Sequence, residues 1–185
     1  LNTATSSQWG VGLARDADDN LFVVGSSGSD DAPSFAGYGF VKGTGYTWTQ
    51  KSKLISSAGW GLHLSHVDAL WCDTGGGTNG AGHLLVRYDG QTTTVPAQWT
   101  VVDAGLFLAG LGHPDRVSQG TFSTANNPQP PDACAMEQDG FGAASGMLLL
   151  WQSSMSTKPC SWSIDSSGKL TMSAFASAIT TGSQS

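Results

Sequence analysis

Glutamate is almost missing: Glu137 is the only one in 185 residues. Glycosidases that set two glutamates across a cleft as acid and nucleophile or base are excluded by that count. The thirteen aspartates sit mostly in turn contexts, where bonding to nearby backbone accounts for them. Charge of either sign is scarce, at 12% of residues, and the eight Lys and Arg are scattered singly against a net charge of −6. No basic stripe exists to neutralise phosphates, so nucleic acid is not expected as a partner. Long apolar runs are absent too. The longest, Met147 to Trp151, is far short of the roughly 20 residues of a membrane span, and no membrane insertion is expected. The three cysteines, Cys72, Cys134 and Cys160, form no CxxC clip, which argues against zinc. At least one of them has no partner within the chain, and a Cys134–Cys160 bridge stays open. None of Asn2, Asn20, Asn79, Asn126 and Asn127 begins a glycosylation sequon. The chain starts at Leu1 without Met, basic leader or apolar signal core, which reads as a mature product or a piece of something larger.

What the chain has is glycine, 25 of them, with abundant Ser and Thr and seven Trp. That mixture suits short strands joined by tight polar turns, and the expected fold is all-β, a compact antiparallel β-barrel or sandwich with long polar loops. One domain over residues 1–185 is expected, large enough to bury roughly 70% of its unfolded surface without a disulfide framework. Trp9 to Ala14 and Leu21 to Gly25 flank Asp16-Ala17-Asp18-Asp19-Asn20, a hairpin turn of short side chains that tolerate left-handed backbone. Ser161 to Ile164 and Lys169 to Ser173 flank Asp165-Ser166-Ser167-Gly168 in the same way. His83 to Tyr88 is expected to meet Gln91 to Val95 across Asp89-Gly90. From Trp48 to Leu54 the alternation sets Thr49, Lys51 and Lys53 on one face, as on an edge strand. Leu106 to Leu111 and Met147 to Trp151, apolar on both faces, read as central strands. Only Ala174 to Thr180 reads as a helix. Gly25 to Gly37, Asp73 to Gly82 and Ser123 to Ala133 read as long loops of the kind that carry binding.

Candidate chemistries fall away one by one. Asp16, Asp18 and Asn20 have the alternate spacing that opens a calcium loop. Leu21 stands where that loop needs Gly, however, and Ser27 where it needs Glu, so the hairpin turn explains them. His63 and His66 on a strand near Asp68 would point to opposite faces. Cys72 near His66 is weak as a reactive thiol. Gly75-Gly76-Gly77 lacks the Lys and helix of a phosphate loop, and no Gly-x-Ser-x-Gly elbow occurs. His113-Pro114-Asp115 matches the tripeptide of J-domain co-chaperones but follows an apparent strand instead of a helix. No enzyme, no metal and no cofactor is expected.

Two resemblances bear on what remains. Gly12-Leu13-Ala14-Arg15-Asp16 through Asn20-Leu21-Phe22-Val23 resembles a blade of bacterial β-propeller repeats, and Tyr46-Thr47-Trp48-Thr49-Gln50 through Lys53-Leu54 looks like the strand of another propeller family. A small β-propeller is therefore the alternative fold. The Trp-Gly echo at Trp9 and Trp60, with looser versions at Trp99 and Trp162, is unevenly spaced for a clean array. In size, low charge, polar surface, long loops, lack of sequons and odd cysteine, the whole chain resembles the capsid spike, or projection domain, of an astrovirus-like non-enveloped virus. That resemblance implies a homodimer on the virion surface, attaching to a host-cell receptor or glycan. The alternative is a bacterial or phage β-propeller or lectin-like carbohydrate-binding module, extracellular or at the cell surface. Thr78, Asn79, Asn126, Asn127 and Gln129 offer amides and hydroxyls suited to sugar hydroxyls, and are the expected receptor-binding residues.

Overall fold

In the computed structural model, the residues described are 8–29, 32–56, 67–88, 98–109, 116–121, 133–152 and 155–174. Among these residues, twelve strands form three four-stranded antiparallel sheets, each built from consecutive strands. The first holds β1 (Gln8–Arg15), β2 (Leu21–Ser29), β3 (Ala32–Lys42) and β4 (Trp48–Ser56). The second holds β5 (Val67–Cys72), β6 (His83–Tyr88), β7 (Gln98–Asp103) and β8 (Arg116–Thr121). The third holds β9 (Ala133–Gln138), β10 (Ser145–Gln152), β11 (Met155–Ile164) and β12 (Leu170–Ala174). The all-β class is as expected, with sandwich-like packing of sheets. The sheets stay open, so the barrel form of that expectation is corrected. Each sheet is an up-and-down meander, the arrangement found in a propeller blade.

The middle sheet is covered on both faces. Its Ala69, Trp71, Leu84, Val86 and Val102 meet Ala14, Phe22 and Val24 of the first sheet. Its Cys72, Leu85, Trp99 and Val101 meet Met136, Leu148, Cys160, Trp162 and Ile164 of the third. The period-two alternation of β6, Leu84 and Val86 one way and Leu85 the other, divides one strand between two cores. Fully buried chains such as Phe22 and Leu84 each contribute about 1.5–3 kcal/mol. The first two sheets approach closely at Gly12, where a Cβ would stand 2.9 Å from the backbone of Asp68. Only glycine lets β1 and β5 come that near.

Several sequence expectations need correction. Leu106 to Leu111 was expected as a strand, yet α1 (Ala104–Ala109) is a helix. The Asp103 carboxylate accepts from Gly105 N at 2.9 Å and Leu106 N at 3.3 Å, an N-cap that stops β7 and starts the helix. Phe107 then packs edge-on against Phe22, centroids 6.3 Å apart. The expected helix at Ala174 to Thr180 begins inside β12, and its remainder lies outside the described residues. β6 pairs with Gln98–Asp103, Tyr88 opposite Gln98, and not with Gln91 to Val95 across a two-residue turn. The Gly25 to Gly37 loop is largely ladder: Gly25 pairs with Ala36 and Ser29 with Ala32, because backbone pairing does not require apolar side chains.

On β4 a bulge at Lys51 sets Gly39 opposite Ser52 but Phe40 opposite Gln50. The bulge interrupts the period-two alternation expected over Thr49, Lys51 and Lys53, although β4 is an edge strand as expected. Met147 to Trp151 is central in its sheet, but one of its faces is open, with Met147 50% and Leu149 39% exposed. Cys134 and Cys160 lie on β9 and β11 with β10 between them. Two strand spacings, about 9.5 Å, exceed the reach of a disulfide, and Cys160 is a free thiol. Among the described residues no helix is long and apolar enough to cross a membrane.

Candidate functional site

One end of the three sheets carries the β1–β2, β3–β4, β5–β6, β9–β10 and β11–β12 connections. All but β3–β4 are braced by an aspartate of their own, Asp16, Asp73, Asp139 and Asp165 in turn. Asp16, buried, accepts from Asp18 N at 3.0 Å and Asn20 N at 2.8 Å on one oxygen, and from Asn20 Nδ2 at 2.8 Å on the other. Its oxygens are thus engaged by N–H donors, which is the turn role anticipated for it. Asp165 accepts likewise from Ser167 and Lys169. The Ser167 hydroxyl bond is the main cause that holds the Asp165 carboxyl below the usual range. Among the described residues no group of three His, Cys, Asp or Glu is placed to hold a metal ion.

Asp19, at φ 62°, turns its carboxylate outward to Lys42 and Arg15, the latter at 2.6 Å. The Lys42 ammonium bonded to it is the main cause that holds Asp19 below its ordinary pKa. Above this ion cluster the β3–β4 turn, closed by Gly43 N to Thr47 O at 2.7 Å, raises Tyr46 to 93% exposure and Trp48 to 37%. Trp48 Nε1 donates to Asp19 O at 3.0 Å, and the Tyr46 and Trp48 rings lie 6.5 Å apart. On the other side Arg15 covers the ring of Phe141, which is 63% exposed at the tip of the β9–β10 turn and tilts against Trp71 at 5.9 Å. Tyr46, Trp48, Asp19, Lys42, Arg15 and Phe141 therefore form one continuous rim joining the first sheet to the third.

The β5–β6 loop lies beside it, tied by Trp71 Nε1 to Ala81 O at 2.8 Å and Asp73 N to Gly142 O at 2.7 Å. Thr78, in a 3-10 turn, spends both its N–H and its hydroxyl on Asp103, the hydroxyl at 2.8 Å. Asn79 is exposed with φ 58°. Asn126, Asn127 and Gln129 lie outside the described residues. His63 and His66 also lie outside them. His83 is 2% exposed beneath the loop, 2.7 Å from Thr74 Oγ1. Burial pushes its pKa down, against the pull of Asp103 and Asp165.

The aromatic members of the rim escaped the sequence reading. The available signal was local: Tyr46 and Trp48 follow Gly43 and Gly45, and Phe141 stands between Gly140 and Gly142. A large ring in a glycine turn has no core to enter. No protein-family model matches the chain, and no curated protein matches it.

Proposed function

We propose that this chain is a non-enzymatic attachment domain that binds carbohydrate through the Tyr46–Trp48 rim, with Asn79 of the neighbouring loop contributing polar contacts. The observation that carries this reading is the exposed ring pair on a rigid turn. Such rings offer flat apolar faces at low entropic cost, and tryptophan and tyrosine are the residues that dominate binding patches. Lys42, Arg15 and Asp19 beside them supply charged donors and acceptors for hydroxyls. Three successive up-and-down meanders favour a lectin-like module as the setting; attachment as a capsid projection rests on composition and the odd cysteine.

The test is a glycan array followed by titration of any hit, with Tyr46→Ala and Trp48→Ala beside the parent chain. Binding by the parent and a loss of at least about tenfold in each variant is expected, since tenfold is about 1.4 kcal/mol and such anchors are worth about 2 kcal/mol or more. Unchanged binding by both variants places the site elsewhere. Binding to none of the glycans sets the reading aside.

A further inference from the structure

Among the described residues nothing packs on the outer face of the first or the third sheet, and these two faces are complementary. In an antiparallel hairpin of L-residues, the hydrogen-bonded pairs and the non-hydrogen-bonded pairs project to opposite faces, and chirality fixes which pair takes which face. Asp16 N donates to Asn20 O at 3.2 Å, so Ala14/Phe22 and Gly12/Val24, stepping back by two, are hydrogen-bonded pairs. These form the face that the first sheet lays on the second. In the third sheet Asp139 N donates to Ser145 O at 3.1 Å, which makes Glu137/Met147 and Ala135/Leu149 the corresponding pairs. The third sheet instead lays its other face, Met136/Leu148, on the second.

The stack thus runs front to back. The open face of the third sheet matches the face by which the first sheet engages its neighbour, and it repeats its pattern. Ala135 stands where Gly12 does, and Met147 and Leu149 where Phe22 and Val24 do. The open face of the first sheet carries Leu13, 61% exposed, and Val23, in the places of Met136 and Leu148, which are buried. Between Ala135, Met147, Leu149 and Pro159 lies a hollow of about 230 Å³. Exposed Glu137 borders it.

We propose that a second copy of this chain occupies these faces head to tail, the third sheet of each copy packing on the first sheet of the other about a two-fold axis, with Leu13 seated in the hollow beside Met147. Both contacts are then equivalent and the assembly closes as a ring of six sheets.

Light scattering at micromolar concentration is expected to give twice the 19.1 kDa chain mass. Leu13→Glu and Met147→Glu, each at an exposed position, are expected to halve that mass while keeping the parent's circular dichroism. Geometry is read by cross-linking. Leu13→Cys mixed with Met147→Cys is expected to give a disulfide-linked pair, while neither variant alone gives more than the parent does. A monomeric parent overturns the proposal. So does a mass that climbs past two copies, or Met147→Cys linking to itself, which would mean like faces meeting. If either glutamate variant loses the fold, the cross-linking result decides.

Discussion

The guanidinium of Arg15 sits 4.9 Å from the ring centroid of Phe141, so the first hairpin of the first sheet touches the first hairpin of the third. One hundred and twenty-five residues separate the two in the chain. The contact draws the opening turns of the outer sheets together over Trp71 of the middle one.

A double-mutant cycle on Arg15→Ala and Phe141→Ala measures that link. An exposed cation–π pair is worth about 0.5–1 kcal/mol, and a coupling of that size in urea unfolding is expected. Strict additivity of the two single variants would show that the contact contributes nothing.

Asp103 holds more of the structure than its half-buried position suggests. Its oxygens accept from Thr78 N, Thr78 Oγ1, Gly105 N and Leu106 N. Asp103→Ala removes the cap of α1 and strands the Thr78 N–H, at a cost of about 2–3 kcal/mol. Asp103→Asn keeps one acceptor and should lose less. The readout is the urea midpoint at constant slope, and an alanine variant within about 0.5 kcal/mol of the parent contradicts this role.

Calcium should leave the protein unaffected. The Asp16 oxygens face three N–H donors, which a cation would have to displace. Melting curves with millimolar calcium and with a chelator are expected to coincide, whereas a bound ion would raise the midpoint by mass action. A shift of several degrees defeats the turn reading of Asp16.

His83 makes stability depend on pH. Its folded pKa is depressed by burial below the ordinary 6.5, so as pH falls through 6.5 the unfolded chain takes up a proton that the folded chain refuses. Stability present above pH 6.5 is therefore lost on acidification toward the folded pKa. The carboxyls of Asp19 and Asp165, held below 3.8, respond only in more acid solution. His83→Gln should flatten the decline in unfolding free energy between pH 7 and about 5. An equal decline in the variant assigns it to another group.

The sequence by itself determined the all-β class and the hairpins whose turns are made by their own side chains. Asp16 and Asp165 close their turns on donors no more than four residues away, so short-range chemistry suffices to read them. It also determined β4 as an edge and Met147 to Trp151 as a central strand. Tertiary structure decided the rest, because the deciding partners are distant in sequence. A short apolar run such as Leu106 to Leu111 is equally strand or helix until Asp103 caps it and Phe22 receives Phe107. The bulge at Lys51 appears only in pairing with β3. Above all the rim was illegible: Trp48 meets Asp19 across 29 residues and Arg15 meets Phe141 across two sheets. Alternation along a strand reports which face a side chain takes, and it carries no information about which sheet comes to lie against that face.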